Sequence, residues 1–434
     1  MRNKKIILVT TLIICVLCYS CKKDEDTIIP QIIINSPNEF RNYKINDTVN
    51  ILANVIDNKN ISLIEIVIVS TDFIPVSDRI ILQPNVKEIN INEFICIDDF
   101  NLNSGIYYVK VRASDGENEK NLFRAINIEG IQREFKGIIS INKVNSNLFN
   151  IYYIDSVNHQ IIDYSGDYVS SEINQNYQQL YICGNTNSNL NAYELKDNSL
   201  AWSILPDNNP PFPSFENLYF DNDILFVSCS QSYIVGYNRF SNINFNATTN
   251  LNFIPKKTIR IKNYLIVEEK SKTSSLRLLN VYYFPTGSLK NSTNLSINIK
   301  SMFYKNDDHI YIFGNDQNNN AAMSWFSIEN QTYYNPHLMP VGKLNDVIKV
   351  DNTNYLLSIG NNIYWYQEST NSLTLFISDI SAENIEYEDI SQTIILGSGN
   401  KLFYYIFPSA IKKGEDIMPY TISQIHLLYN KKNK

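Results

Sequence analysis

Apolar and polar positions alternate with a period of two along most of the chain, and the 3.6-residue period of amphipathic helices is almost absent. Val49-Asn50-Ile51-Leu52-Ala53-Asn54-Val55 alternates cleanly before Ile56-Asp57, and Leu63 to Val69 forms a second run. Gln31 to Asn35, Arg79 to Leu82, Val86 to Ile91, Ile106 to Ala113 and Leu122 to Ile128 complete the set. About seven short strands in roughly 100 residues, punctuated by Asn, Asp, Ser and Gly, predict a β-sandwich. It spans residues 30–130.

From residue 135 to 430 the pattern repeats. Each unit has an apolar strand, a polar turn, and a strand centred on a large aromatic. The aromatics are Tyr152, Tyr193, Tyr237, Tyr282, Trp325, Trp365 and Tyr404, spaced 39 to 45 residues apart. The partner strands centre on Ile141, Ile182, Phe226, Ile266, Ile312, Leu357 and Ile395. A period near 40 to 45 with at least two strands per unit predicts a β-propeller, here of seven blades. One blade cannot bury both faces of its sheet, so the ring must close. Tyr420 to Tyr429 alternates as a strand does, and either completes the last blade or pairs with the first. In the first unit Gln160 to Tyr164 is an equal alternative to the Tyr152 segment as the anchor strand. The expected fold class is therefore all-β.

The first residues follow a different rule. Arg2, Lys4 and Lys5 precede an apolar run from Ile6 to Leu17, the charged and apolar regions of a secretory signal. That run of about a dozen residues is shorter than the ~20 needed to span a bilayer. Leu17-Cys18-Tyr19-Ser20-Cys21 resembles a lipobox, although Cys18 and Tyr19 depart from its commonest form. The resemblance implies a signal peptide over 1–20, lipidation at Cys21, and a tether over 21–29. Lys22, Lys23, Asp24, Glu25 and Asp26 are similar to the acidic export signal of Bacteroidetes surface lipoproteins. The expected location is the outer membrane, lipid-anchored and facing the cell surface. A plain solvated tether is the alternative reading of this charge run. Because one acyl chain anchors only marginally, stable attachment needs the two or three that such lipoproteins carry.

The sandwich resembles the immunoglobulin-like modules of bacterial surface lipoproteins. It carries their Ser36-Pro37 start, the turn Asp47-Thr48-Val49 into a long strand, and a Gly-Tyr-Tyr-x-Val-x-Val-x-Ala-x-Asp pattern varied as Gly105 to Asp115. The antibody Cys-Trp-Cys spacing is missing. Leu190 to Leu195 with Leu200-Ala201-Trp202 resembles the repeat of quinoprotein and YVTN-type propellers, with Asn198-Ser199 where they have Thr-Gly. A single matching unit speaks for fold and not for quinone chemistry.

Composition narrows the function classes. Acidic residues outnumber basic ones by 44 to 37, with no basic stripe, which argues against a nucleic-acid partner. After cleavage before Cys21 only Cys96, Cys183 and Cys229 remain beyond the anchor, too few for a disulfide framework. They are expected as buried thiols or one bridge. Asn, Ile and Tyr are abundant, the bias of AT-rich codons, so Asn clusters and surface tyrosines carry little weight.

No catalytic motif stands out. The four histidines, His159, His309, His337 and His426, include no pair at i,i+4 and no zinc motif. His309 beside Asp307 and Asp308, and Asp115-Gly116-Glu117, read as turns rather than metal sites. Gly397-Ser398-Gly399-Asn400 reads as a hairpin turn, not a nucleophile elbow. Asp221 with Asp223, Glu268 with Glu269, and Glu386 with Glu388 offer carboxylate pairs, but a glycosidase needs such a pair across a cleft. Neither a catalytic residue nor a cofactor nor a metal is expected.

Binding is the better reading, because loops from every blade gather at a propeller's faces. Phe212, in the stiff loop Asp207 to Pro213, is either an outward platform for a sugar ring or peptide or part of a tucked connection. Tyr333 and Tyr334 pose the same choice. Asp26-Thr27-Ile28, Asp47-Thr48-Val49 and Asp155-Ser156-Val157 resemble the O-glycosylation acceptor of Bacteroidetes, which implies modification at Thr27, Thr48 and Ser156. The expected function is a cell-surface binding or adhesion lipoprotein whose propeller recognises a glycan or a protein partner. The alternatives are an assembly component of an envelope complex and, further off, a polysaccharide hydrolase or lyase.

Overall fold

The computed structural model describes residues 26–155, 158–206, 214–334 and 339–431. Cys21 to Glu25, Ser156, Phe212 and His337 lie outside the described residues. The chain divides into two compact units, Met1–Gln132 and Arg133–Lys434. Among the described residues every element is a strand except one helical turn, Glu368–Thr370.

In the N-terminal unit, Gln31–Ser36, Thr48–Ile61 and Val86–Cys96 form a three-stranded sheet with the long strand in the middle. A five-stranded sheet runs in the order Arg41–Lys44, Glu119–Glu129, Gly105–Ser114, Leu63–Val69, Ile80–Leu82. Alternation decides which faces meet. Val49, Ile51, Ala53 and Val55 point to one side and are buried, as are Ile64, Ile66 and Ile68 and then Val109, Val111 and Ala113. β-branched side chains, stiff at χ1, pack well on these pleated faces and form one core. Arg41–Lys44 went unread in the sequence because only Tyr43 of its four residues is buried.

Among the described residues the second unit contains seven four-stranded antiparallel sheets. In six of them four consecutive strands meander outward from an inner strand. The inner strands are Ser170–Asn174, Phe215–Asp221, Phe253–Ile261, Asn298–Asn306, Leu344–Lys349 and Asn384–Glu388. The remaining sheet joins both ends of the unit. Thr421–Tyr429 is its inner strand and pairs antiparallel with Phe135–Asn145, followed by Leu148–Ile154 and Asn158–Ser165. Each inner strand touches the next, and Thr421–Tyr429 touches both Asn384–Glu388 and Ser170–Asn174. The cycle is closed, and a closed ring of radial sheets is a β-propeller.

The aromatic anchors all sit on third strands and their partners on second strands, counting outward. Sheet faces meet in apolar layers. Ile139, Ile141 and Ile151 pack with Leu180 and Ile182, while Ile138 and Ile154 on the same sheet pack with Ile395, Leu402 and Ile425. The clasp therefore buries its own apolar face against both neighbours. Cys183 and Cys229 are buried between two sheets, as expected of them, whereas Cys96 is exposed.

Candidate functional site at the mouth of the ring

The inner strands carry a charge pattern that the outer ones do not. Glu172, Lys257, Lys300, Asp346, Glu386 and His426 each lie on a different inner strand, all half-buried. An inner strand borders the ring axis, so its polar side chains reach the axial channel while apolar neighbours such as Ile173, Val347 and Ile425 enter the layers between sheets. Channel side chains touch enclosed solvent yet have protein on all sides, which is why half-exposed groups here are strongly perturbed.

The charges are arranged in sectors. Lys257 Nζ donates to Asn217 Oδ1 at 3.0 Å, and Lys300 Nζ lies 3.8 Å from Asp346 Oδ1. Asp346 Oδ2 accepts the Ile385 N–H at 2.8 Å. Burial, with Lys300 beside it, lowers the basicity of the Lys257 amine. On the other side the acids gather. Burial pushes the Glu172 carboxyl up to about 8, with Lys257 opposing. Burial, then the charges of Asp346 and Glu172, drives Glu386 well above the carboxylate range. Burial also holds the His426 imidazole down to about 4. Its Nε2 lies 2.7 Å from Ser171 Oγ, which in turn lies 2.9 Å from the Tyr168 hydroxyl.

Of these residues Glu172, Glu386 and His426 open into a cavity of about 430 Å³, lined also by Gln175, Lys349 and Tyr429 among others. Its volume falls within the range of small-molecule sites. Gln175 helps fix the wall, accepting the Tyr429 N–H at 2.8 Å and donating to the Leu427 carbonyl at 2.6 Å. Arg133 stands at the rim with its guanidinium 3.5 Å from the centre of the Tyr429 ring and 2.6 Å from Asp389. At neutral pH the shifts of Glu172 and His426 favour their uncharged forms, and the Glu386 carboxyl is shifted in the same direction as that of Glu172. A protonated carboxyl and a neutral imidazole each both donate and accept hydrogen bonds, as does the Gln175 amide. The mouth thus offers several donor–acceptor groups converging on one space.

The candidates chosen from sequence lie elsewhere. Tyr333 and Tyr334 belong to Thr332–Tyr334, the outermost strand of its sheet, so they do not join the mouth. Tyr334 is exposed and stacks on Trp325 at 4.1 Å, while Tyr333 packs on Phe326 and has its hydroxyl buried. Phe212 and Ser156 are outside the described residues, and Thr27 and Thr48 are exposed. His309 opens the strand His309–Asn315 just after the turn at Asp307 and Asp308, with Nδ1 2.9 Å from Asn306 Oδ1 and the ring against Trp325. The carboxylate pairs part company: Glu268 pairs with Arg277 and Glu269 accepts from the Tyr282 hydroxyl. Glu386 faces the mouth, while Glu388 accepts the N–H groups of Ile390 and Ser391. Glu172, Gln175 and His426 were missed as site residues. The one available signal was a polar residue set inside an otherwise apolar strand, as in Ile425-His426-Leu427.

No protein-family model matches the chain, and no curated protein matches it. Among solved structures it is similar to a quinoprotein alcohol dehydrogenase-like protein of Bacteroides thetaiotaomicron, at 11% identity over 93% of this chain and 99% of that one, with a TM-score of 0.46. The WD40 β-propeller domain of Doa1 aligns at 10% identity over 61% of this chain and 94% of its own, with a TM-score of 0.44. A computationally designed protein, Ika8, aligns at 9% identity over 67% of this chain and 87% of its own, with a TM-score of 0.48. Likenesses this distant add nothing to the ring topology, and the class rests on that topology: this is a β-propeller protein.

Proposed function

We propose that this is a lipid-anchored cell-surface binding protein, with an immunoglobulin-like sandwich as spacer and a seven-bladed propeller as the recognition unit. The ligand we assign to the mouth of the ring is a glycan. The observation that carries this reading is the convergence there of Glu172, Gln175, Glu386 and His426, with burial favouring the proton-holding form of both carboxyls and the neutral imidazole, so that the groups both donate and accept. Sugar hydroxyls do the same, and a site matched to them rejects molecules that would leave its polar groups unpaired.

The lipobox-like Leu17 to Cys21 and the acidic Asp24 to Asp26 support the anchor and the outward address. A glycan array probed with the purified full chain tests the assignment. Retention of a defined glycan, lost when Gln175→Ala or Glu172→Ala is introduced, is the expected result. Retention unaffected by both variants places binding elsewhere, and no retention on any glycan favours a protein partner in an envelope assembly.

A second reading rests on the same cavity. Two carboxyls and an imidazole at one mouth are the groups of acid–base hydrolysis, so the array is to be paired with a polysaccharide-turnover assay. Release of shorter products, abolished by Glu386→Gln, would convert the binding site into an active site.

A further inference from the structure

The N-terminal unit holds a second concentration of acid groups, unrelated to the mouth. Asp26 comes from the segment before the first strand, Asp57 from the long strand Thr48–Ile61, and Asp115 from the turn between Gly105–Ser114 and Glu119–Glu129. Each offers a carboxylate oxygen, and the three oxygens lie within 4.8 Å of one another. The arrangement is built by the fold. Ile56 pairs with Glu88 and Ile61 with Val86, so the residues between them bulge out of register and carry Asp57. Asn118 Nδ2 donates to the Asp26 carbonyl at 2.8 Å and the Asp26 N–H to Glu117 Oε2 at 3.1 Å, which fixes the incoming segment against the turn.

The turn reading of Asp115 is correct as far as it goes. Its Oδ1 accepts the N–H groups of Glu117 and Asn118 at 2.7 and 2.6 Å, and Gly116 takes the positive φ of 98° that the turn requires. Its Oδ2 is buried and has no partner among the described residues. Asp57 is more telling. It is only 7% exposed, its Oδ1 accepts the Lys59 N–H, and its buried Oδ2 has no hydrogen-bond partner among the described residues. A buried carboxylate oxygen without a donor is costly and calls for a cation or a proton. Lys59 is the nearby ammonium, and it is engaged by Glu117 at 2.9 Å and Asp26 at 3.6 Å. Asn58 Nδ2 also reaches both Asp26 oxygens, at 3.2 and 3.3 Å.

We propose that Asp26, Asp57 and Asp115 form a calcium site that ties the segment preceding the sandwich to its end. The oxygen-only donor set selects a hard cation and excludes the softer metals that His or Cys would favour. Coordination then separates the two common candidates. The three oxygens lie within 4.8 Å of one another on three separate segments, which suits the flexible coordination of calcium at about 2.3–2.6 Å better than the near-ideal octahedron and retained waters that magnesium demands. The ion receives the orphaned oxygens of Asp57 and Asp115 and displaces Asn58 and Lys59 from Asp26. The segment from residue 26 to the first strand then becomes an extension of the sandwich. The site is independent of the glycan reading.

Isothermal titration of the chelator-treated full chain with calcium chloride tests this. Extracellular calcium modules bind at roughly 10⁻⁴–10⁻³ M, so a saturable site in or below that range is expected. Asp57→Asn and Asp26→Asn should each weaken it at least about tenfold, and magnesium at equal concentration should leave the affinity within about twofold. Asp26 lies outside every strand, so Asp26→Asn remains decisive if Asp57→Asn fails to fold. Calcium should also slow proteolytic cleavage ahead of Gln31 several-fold in the wild type and not in Asp26→Asn. Absence of saturable binding, or binding unchanged in Asp26→Asn, overturns the proposal.

Discussion

At the scale of single residues, the groups that decide this molecule's behaviour are those whose burial conflicts with their charge. Glu172, held to about 8, binds its proton more tightly in the folded state than in the unfolded chain. Its contribution to stability is therefore complete at acid pH and is lost as pH rises from its ordinary range through about 8. His426, held down to about 4, behaves in the opposite way, its contribution being lost as pH falls from about 6.5 toward 4. Urea unfolding at pH 6.5 and 8.5 should show wild type losing stability across the interval and Glu172→Gln losing less. Parallel losses would mean that the channel does not suppress ionisation of Glu172. A core residue offers a contrast without titration. Phe326 is fully buried between two sheets, and Phe326→Ala should cost about 3–5 kcal/mol in the same assay at every pH tested.

At the scale of elements, the strand Thr421–Tyr429 carries the largest consequence. It is the inner strand of the sheet begun by Phe135–Asn145, so the ring is closed by pairing between the two ends of one unit. Ending the chain after Tyr420 removes that pairing and exposes the apolar faces around Ile138 and Ile395. The expected outcome is loss of the cooperative unfolding transition of the second unit, read by calorimetry, while the N-terminal sandwich keeps its own.

The same scale explains what the sequence could say. Second and third strands are apolar on both faces or centred on an aromatic, so Ile182 with Tyr193, or Leu357 with Trp365, announced themselves. Inner strands mix buried Ile and Leu with channel-facing Glu, Lys and Asp, which blurs the alternation that identifies a strand. The site sits on those strands and was therefore the least legible part of the fold. Tyr333 and Tyr334 drew attention instead, because aromatic residues are conspicuous wherever they stand. The calcium cluster was hidden for another reason. Asp26, Asp57 and Asp115 are far apart in sequence, and only the bulge after Ile56 and the docking of the incoming segment bring them together.

At the scale of the whole molecule, the proposed arrangement is an anchor, a spacer and a recognition ring in one chain. The anchor has a direct check. Cys21→Ala should leave an unprocessed precursor and abolish lipid labelling, and a variant that is still processed and lipidated would contradict the lipoprotein reading. The proposed glycan site at the mouth of the ring has a check of its own. The decisive measurement is the affinity for a glycan retained on the array, taken at pH 6.5 and 9 for wild type and Glu172→Gln. Wild-type affinity should fall several-fold at the higher pH as Glu172 ionises and loses its donor, and Glu172→Gln should bind almost equally at both. If no glycan is retained, or if both proteins bind one with the same pH dependence, the mouth is not the recognition site described.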